Sequence, residues 1–213
     1  MTNWEKTPNV FGWRGAVGFE VPPEQFEWLK DACEKARLKN KTTQTYLVGH
    51  IKEEYDVKDV SPEFEKFLIK CASVPEFENY RKKLTYLSEH RPFYIHQLWV
   101  NYQRKYEFNP PHRHSGVFSF IIFVNIPYDL KEEENYFIST GLKAYGPGLH
   151  YTSKLAFHNT CGNGEVACDL VDVDKGFESK MIMFPAAQVH QVFPFFTNDG
   201  YRITVSGNLR LKV

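Results

Sequence analysis

The sequence has no excess charge of either sign and few cysteines. Its 26 Lys and Arg residues balance 26 Asp and Glu residues, so the formal net charge is zero. Nucleic-acid-binding proteins normally carry a basic excess or patch, so a nucleic-acid partner is not indicated. The four cysteines show no CxxC spacing, which argues against a zinc knuckle. We expect reduced thiols, and a disulfide between Cys161 and Cys168 is the alternative.

The sequence also lacks a long apolar segment and a secretory signal pattern. The longest apolar run, residues 117–126, is too short to cross a bilayer and is interrupted by Ser119 and Asn125. The first ten residues, MTNWEKTPNV, are polar rather than signal-like. These features predict a soluble, intracellular protein located in the cytoplasm, with no membrane partner.

Aromatic residues are abundant, with 18 Phe, 12 Tyr and 4 Trp, as is typical of a buried, β-rich fold. Amphipathic helical patterns lie in the first 90 residues, and strand patterns dominate from residue 92 onward. The predicted helices cover residues 22–38, 62–74 and 75–87. The predicted strands cover residues 42–51, 93–106, 117–126, 166–173, 180–185, 189–196 and 201–212. Between them, residues 131–165 give only weak strand signals, and the acidic run 131–134 is predicted to be a solvated loop.

This order of elements predicts a mainly β fold with flanking helices, namely a jelly-roll, or double-stranded β-helix. A chain of 213 residues suits a single domain. Within it, residues 1–91 form a helical support region and residues 92–213 form the jelly-roll core.

Three histidines are candidates for one metal site. His112 and His114 are two residues apart and follow two prolines that favour an extended backbone. Residues two apart in a strand point to the same face, so the two imidazoles can converge on one point. His190 lies in a second apolar run, MIMFPAAQVHQVFPFF. Three imidazoles suit a site for one first-row transition metal ion. The alternative is that these histidines are structural or surface residues without a metal.

Three stretches together resemble the Fe(II)/2-oxoglutarate-dependent oxygenase superfamily. They read WVNYQRKYEFNPPHRHSGVFSFIIFVNIP, MIMFPAAQVHQVFPFF and DGYRITVSGNLRL. The resemblance is to the prolyl-hydroxylase-like branch, and within it to small bacterial and phage oxygenases with a His-x-His metal strand. It covers about residues 92–213. It implies Fe(II), 2-oxoglutarate as cosubstrate and O2, and it makes His112 and His190 the proximal and distal iron ligands.

The resemblance also implies how the cosubstrate is held. Arg202 matches the basic residue that pairs with the distal carboxylate of 2-oxoglutarate, and Thr204 shares its strand face. Gln103 or Tyr102, on the strand before the metal motif, would contact the other end of the cosubstrate. Three polar residues in or beside apolar strands are further pocket candidates: Ser119, Asn125 and Asn208.

The chain departs from the family pattern at His114, where a carboxylate is usual. A three-histidine site is less negative by one charge than the usual set of two histidines and one carboxylate. Alternatively, His114 does not bind the metal, and water or a carboxylate completes the shell; Glu107, Asp169 and Asp172 are the candidates. We favour His114 as a ligand because its spacing from His112 places both on one face.

The expected activity is hydroxylation of a peptide, protein or small molecule with release of succinate and CO2, with no catalytic residue beyond the metal centre. Two glycine-containing segments, residues 141–148 and 159–164, are candidate flaps over the site. One alternative is a three-histidine dioxygenase of cupin type that does not use 2-oxoglutarate. Another is a jelly-roll that binds a partner without catalysis.

Overall fold

A computed structural model describes residues 15–39, 49–84, 91–141, 151–160 and 164–212. Within these ranges the chain forms ten strands and four α-helices. The strands are β1 (Val17–Glu20), β2 (Glu54–Asp56), β3 (Phe93–Gln103), β4 (Asn109–His112), β5 (Phe118–Asn125), β6 (Leu155–Thr160), β7 (Val166–Val171), β8 (Lys180–Pro185), β9 (Val189–Val192) and β10 (Arg202–Leu211). The helices are α1 (Pro23–Lys39), α2 (Pro62–Ala72), α3 (Glu78–Leu84) and α4 (Leu130–Ser139).

The strands form two antiparallel sheets. The large sheet has the order β1-β8-β5-β10-β3-β2, and the small sheet has the order β4-β9-β6-β7. From β3 to β10 the chain passes repeatedly between the two sheets, and only β6 and β7 follow each other within one sheet. This alternation is the jelly-roll topology, so the predicted fold class is confirmed.

The large sheet is buried on both faces, and β5 shows why its sequence is apolar throughout. Phe120 and Ile122 point into the core shared with the helices, whereas Ile121 and Phe123 point into the core shared with the small sheet. Successive strand residues face opposite sides, so a sheet covered on both sides requires an unbroken apolar run. The space between the two sheets, which the inner face of β5 borders, is where the histidines are placed.

The helices that cover the outer face begin where the sequence predicts. Helix α2 starts after Ser61, whose hydroxyl accepts a hydrogen bond from the Phe64 amide at 3.1 Å. Pro62 occupies the first turn, where its missing N–H costs nothing. The helical residues buried against the sheet are Leu29, Ala32, Cys33, Ala36, Phe64, Phe67, Leu68 and Cys71.

The prediction of a solvated loop at residues 131–134 is wrong. These residues lie in the first turns of α4, which is capped by Asp129 through a hydrogen bond from the Lys131 amide at 2.8 Å. One residue of the acidic run, Glu133, is fully buried. Asp129 is a strong N-cap residue placed just before the helix, and it is the signal that predicts this start.

Several predicted boundaries differ from the structure. Strand β9 ends at Val192 rather than 196, because Pro194 lacks the N–H that a ladder needs. Strand β3 ends at Gln103, before a turn in which Tyr106 has a positive φ of 70°. The predicted strand 42–51 lies mostly outside the described residues, as do most of the candidate flap segments.

Two further observations bear on the expected location and redox state. In the parts of the chain that the structure covers, no helix is long and apolar enough to cross a membrane. Cys33, Cys71 and Cys168 carry free thiols, and Cys161 lies outside the described residues.

Candidate metal centre

The three candidate histidines converge between the two sheets. His112 on β4 and His190 on β9 are directly paired across the small sheet, with ring centroids 4.3 Å apart. His114 follows β4, and its ring centroid lies 5.0 Å from that of His112 and 5.1 Å from that of His190. One nitrogen from each ring lies within 4.8 Å of the others, so the three side chains can hold one metal ion.

Backbone carbonyls orient two of the rings. His112 Nδ1 is 2.7 Å from the Pro110 carbonyl oxygen, and His190 Nδ1 is 3.1 Å from the Gln188 carbonyl oxygen. A carbonyl can only accept, so each Nδ1 carries the proton and each Nε2 keeps its lone pair. This is the usual support of a metal-binding histidine, whose second nitrogen donates to a fixed acceptor.

The third ring, that of His114, is positioned by its backbone and by packing. Its amide donates to the Ala186 carbonyl oxygen at 2.9 Å, which ties the segment after β4 to the end of β8. Its ring lies 5.5 Å from the Trp99 ring on β3. Both contacts tie His114, which follows β4 of the small sheet, to the large sheet.

Burial keeps these imidazoles neutral. Burial lowers the pKa of His112. Burial, and then repulsion from His112, lowers the pKa of His114 to about 4. The pKa of His190 is lowered well below its usual value, first by burial and then by the other two histidines. Neutral imidazole is the form that binds metals, so the cluster is ready to bind near pH 7.

None of the alternative carboxylates belongs to this cluster. Glu107 accepts a hydrogen bond from the Arg104 amide at 3.0 Å, Asp169 accepts one from Asn159 at 2.8 Å, and Asp172 pairs with Lys154. Among the described residues, the cluster of side chains that could hold a metal ion consists of the three histidines and includes no carboxylate. Three nitrogen donors suit iron or another first-row transition metal better than Mg²⁺ or Ca²⁺, which prefer oxygen ligands.

The histidines border a pocket between the sheets. Four of its polar residues come from facing positions on β3 and β10, where Gln103 is paired with Arg202 and Asn101 with Thr204. The remaining lining residues are Ile51, Glu54, Trp99, Asn109, Ile121, Phe123, Leu155, Val173, Val192 and Ser206. A polar wall and an apolar wall therefore meet around the three imidazoles.

Arg202 is buried in this pocket wall and uses all five of its N–H groups. Nε and Nη2 donate to Gln103 Oε1 at 2.9 and 2.7 Å, and Nη2 also donates to the Phe193 carbonyl oxygen at 2.7 Å. Nη1 donates to Tyr128 Oη at 3.0 Å and to the Ser153 carbonyl oxygen at 2.7 Å. Every acceptor is neutral, and the guanidinium makes no ion pair with any described residue. A permanent positive charge thus lies in the wall without a carboxylate.

Two of the other expected cosubstrate residues lie in the pocket, and one does not. Gln103 contacts Arg202, and Thr204 Oγ1 accepts a hydrogen bond from Asn101 Nδ2 at 3.2 Å. Tyr102 faces the opposite side of β3, in the core beneath the helices, with the Arg37 guanidinium 4.5 Å from its ring. Its position does not support a contact with a ligand in this pocket.

The three remaining candidates are satisfied by other partners and do not line the pocket. Ser119 Oγ donates to Asn208 Oδ1 at 2.7 Å, and Asn208 Nδ2 donates to Gln97 Oε1 at 3.1 Å. Asn125 Nδ2 donates to the Tyr201 carbonyl oxygen at 2.7 Å, beside the start of β10. These residues stabilise the large sheet.

Sequence reasoning missed several residues of the pocket. Asn101 is not one of them, because it shares the strand parity of Gln103 and that parity identifies it from the sequence. Glu54 and Asn109 lie in short strands without a periodic pattern. Tyr128 and Ser153 reach Arg202 from outside the strands, and no local sequence signal marks them.

No family model matches the chain, and no curated protein matches it in sequence. Solved structures do match. A 2OG-Fe(II) oxygenase family oxidoreductase from Burkholderia pseudomallei has a TM-score of 0.52 and 10% identity, over 92% of this chain and 84% of that one. A prolyl-4-hydroxylase from Pseudomonas putida has a TM-score of 0.53 and 12% identity, over 93% and 94% of the two chains. The protein OsALKBH1 has a TM-score of 0.53 and 8% identity, over 93% and 99%.

These structures share the fold of this chain over most of its length, at identities where only the fold is comparable. The expected resemblance to the oxygenase superfamily is confirmed at that level. The chain therefore has the jelly-roll fold of the 2OG-Fe(II) oxygenases, with three histidines converging between its sheets.

Proposed function

We propose that this protein is a non-haem iron, 2-oxoglutarate-dependent oxygenase that hydroxylates a peptide, a protein or a small molecule. The observation that carries the proposal is one pocket that holds both three neutral imidazoles and a buried guanidinium without a carboxylate partner. The fold, shared with solved 2OG-Fe(II) oxygenases, supports the same conclusion.

His112, His114 and His190 would hold Fe(II) through their Nε2 atoms. When bound, Fe(II) with 2-oxoglutarate and O2 supplies the oxidising power for C–H hydroxylation, with release of succinate and CO2. The residues of this chain hold the metal ligands in one tautomer, position the two carboxylates of the cosubstrate and limit water around the reacting groups.

Arg202 is the residue that would bind the distal carboxylate. Its Nε and Nη2 atoms form the edge that suits a bidentate carboxylate, and this edge now donates to Gln103 Oε1. Gln103 offers this edge one neutral oxygen, whereas a carboxylate offers two oxygens and an opposite charge, and charge-assisted bidentate pairs of this kind are the stronger ones. A carboxylate therefore competes favourably with the Gln103 amide for this edge, and the Thr204 hydroxyl can add a further hydrogen bond.

The apolar wall has a separate role. Ile121, Phe123 and Leu155 are buried, and each lines the pocket. Side chains of this kind cannot hold ordered water, so they favour a dry environment around the metal ligands. A dry site strengthens the pairing between Arg202 and a carboxylate.

A second candidate function is a three-histidine dioxygenase that does not use 2-oxoglutarate. The observation that favours it is the complete set of neutral acceptors around Arg202, since a guanidinium satisfied in this way can be purely structural. The two candidates differ in whether a dicarboxylate binds at Arg202.

An anaerobic titration with Fe(II) and then 2-oxoglutarate tests both candidates, by following the weak visible charge-transfer band of the iron–cosubstrate complex. We expect a band at one iron per chain, absent in His190→Ala. In Arg202→Lys, which keeps the charge but loses the bidentate edge, we expect 2-oxoglutarate to bind about tenfold or more weakly, equivalent to about 1.4 kcal/mol.

Arg210→Ala is the matched control, because Arg210 lies on the same strand and donates to Ser115 on the surface. It should leave the titration unchanged. Iron binding without a 2-oxoglutarate band would favour the second candidate. The absence of iron binding in the wild-type protein would contradict both.

A further inference from the structure

We propose that the substrate group recognised in this pocket is a cation rich in N–H donors, either a primary ammonium or a guanidinium, bound by Glu54, Asn101 and Asn109. This inference rests on the proposed function and deepens it by naming a substrate class. We call these three side chains the acceptor wall. All three line the same pocket as the histidines.

Two oxygens of the acceptor wall have no hydrogen-bond donor. Asn101 is 5% exposed and Asn109 is 9% exposed, and the Oδ1 atom of each is buried without a partner. Asn101 Nδ2 is engaged by Thr204 Oγ1 at 3.2 Å and Ser206 Oγ at 3.5 Å, which fixes the orientation of its amide. A buried acceptor left without a donor is unfavourable, so a ligand that supplies the donor binds more tightly.

The clustering of these atoms is what points to a ligand. Among the described residues, only three buried side-chain atoms lack a hydrogen-bond partner, and two of them belong to this one pocket. Buried polar atoms are nearly always paired in folded proteins. The two unpaired oxygens belong to residues from the two facing sheets, Asn101 on β3 and Asn109 on β4, and both residues line the pocket that the histidines border. We infer that a bound molecule supplies the missing donors.

Glu54 gives the acceptor wall its charge. It lies on β2 opposite Asn101 and is 2% exposed. Burial, and then the nearby Glu107 carboxylate, raises the pKa of Glu54 to about 7. Both effects disfavour the ionised carboxylate in the free pocket, and a cation bound beside it would favour that form.

The chemistry of the wall selects against the other classes of ligand. A carboxylate would face two amide oxygens that cannot donate, and it would disfavour the ionised form of Glu54 further. An apolar group would leave both amide oxygens unpaired. A primary ammonium offers three N–H donors and a guanidinium offers five, which matches two carbonyl oxygens and one carboxylate. The pocket then has an anion-binding part at Arg202 and a cation-binding part at the acceptor wall.

Calorimetry on the 213-residue chain tests the inference with three probes of similar size: n-butylammonium, butyramide and butyrate. The protein is loaded with Zn(II), which has no redox chemistry, and with 2-oxoglutarate, so that no turnover occurs. We expect n-butylammonium to bind at least tenfold more tightly than butyramide, and butyrate to bind most weakly.

Variants assign the selectivity to the wall. Glu54→Gln and Asn101→Ala should each weaken n-butylammonium binding about tenfold, and Asn101→Asp should strengthen it. Asn208→Ala is the matched control, because Asn208 is a buried asparagine of the same sheet whose amide is paired with Ser119 and Gln97. It should leave the affinity unchanged, and far-ultraviolet circular dichroism verifies that each variant is folded.

The outcomes separate this inference from the proposed function. Equal binding of n-butylammonium and butyramide, or equal losses in Asn101→Ala and Asn208→Ala, would overturn the inference. If the iron–cosubstrate band is present in that case, the oxygenase proposal stands without the acceptor wall. If the band is absent but n-butylammonium is still selected by protein without 2-oxoglutarate, the oxygenase proposal fails and the cation site stands.

Discussion

Glu133 is a buried carboxylate on which the surroundings of Arg202 depend. It is fully buried in α4 and accepts hydrogen bonds from the Phe196 amide at 2.9 Å, the Thr197 amide at 2.7 Å and the Thr197 hydroxyl at 2.6 Å. The Thr152 hydroxyl donates to its other oxygen. These partners adjoin the two backbone carbonyls that accept from Arg202, so one carboxylate fixes both segments that hold the guanidinium.

The cost of replacing Glu133 follows from these four donors. Glu133→Gln keeps the shape but converts charge-assisted hydrogen bonds into neutral ones, at about 0.5–1 kcal/mol each, which totals about 3 kcal/mol. Glu133→Ala leaves two backbone N–H groups without an acceptor and should cost about 5 kcal/mol. Since whole domains are stable by about 5–15 kcal/mol, either change should be easy to measure.

Urea denaturation followed by tryptophan fluorescence gives the free energy of unfolding of each variant. Glu132→Gln is the matched control, because Glu132 is the exposed neighbour of Glu133 on α4 and should cost less than about 1 kcal/mol. If Glu133→Gln and Glu132→Gln destabilise the protein equally, the hydrogen bonds to Glu133 do not hold these segments and the reasoning is refuted.

Three further predictions follow from the structure. Burial alone would raise the pKa of Glu53, but hydrogen bonds from a tyrosine and two arginines lower it from 4.5 to about 2. The contribution of Glu53 to the free energy of unfolding, about 2 kcal/mol for this partly open cluster, is therefore present above pH 4.5 and lost as the pH falls towards 2. Urea titrations at pH 6 and pH 3 should show this loss in the wild-type protein and not in Glu53→Gln. Gly207→Ala should lower the free energy of unfolding by at least about 2 kcal/mol, because the new Cβ would lie 2.5 Å from the Phe120 ring. Thermal unfolding measures this loss. Tyr102→Phe should leave the dissociation constant of 2-oxoglutarate unchanged, whereas Thr204→Val should raise it severalfold in the anaerobic titration.

A specific result would contradict each of these predictions. An unchanged pH dependence in Glu53→Gln would show that this carboxylate is not the titrating group. Gly141→Ala is the control for Gly207→Ala, because nothing lies within 4 Å of a Cβ at Gly141 and only the positive φ of 70° costs energy. A larger loss for Gly141→Ala than for Gly207→Ala would contradict the packing argument. Weaker 2-oxoglutarate binding in Tyr102→Phe would mean that the cosubstrate site extends to the other face of β3.

The long strands and the histidine cluster are predictable from the sequence because their signals are local, whereas the short strands β2, β4 and β6 are not. Apolar runs bounded by Pro and Gly give the positions of β5, β8 and β10 to within a residue or two. The spacing of His112 and His114 is enough to predict that their side chains can meet, and the short, antiparallel pairing of β4 with β9 then brings His190 opposite His112.

The identity of the pocket face is not predictable in the same way. Strand parity separates Gln103 from Tyr102, but it does not tell which of them faces the inside of the jelly-roll. Because the large sheet is buried on both faces, an apolar or aromatic side chain is equally acceptable on either side. Only the packing of α1 and its Arg37 over Tyr102 decides between the two.

The hydrogen-bond partners of buried polar side chains also cannot be predicted from local sequence patterns. The acidic run that contains Glu133 looks like a solvated face, and its burial depends on a threonine and a loop about 20 and 60 residues away in sequence. Two of the acceptors of Arg202 are backbone carbonyls, which every residue type provides. The sequence can therefore suggest a role for Arg202 without indicating what surrounds it.

The third histidine bears directly on the choice between the two candidate functions. A ligand set of three neutral imidazoles brings no negative charge to a divalent metal, and the buried Arg202 adds a further positive charge to the same pocket. Glu133 lies near Tyr128, a partner of Arg202, but it pairs with backbone and hydroxyl donors rather than with the guanidinium. Buried charges are stable only when balanced. A dianion such as a dicarboxylate therefore balances the charge of this pocket. It would balance less well a pocket in which a carboxylate ligand of the metal had already reduced the positive charge. The histidine at position 114 is thus an argument for a dicarboxylate cosubstrate rather than against it, and the acceptor wall, where a bound cation would favour the ionised form of Glu54, leaves the remaining position for a cation.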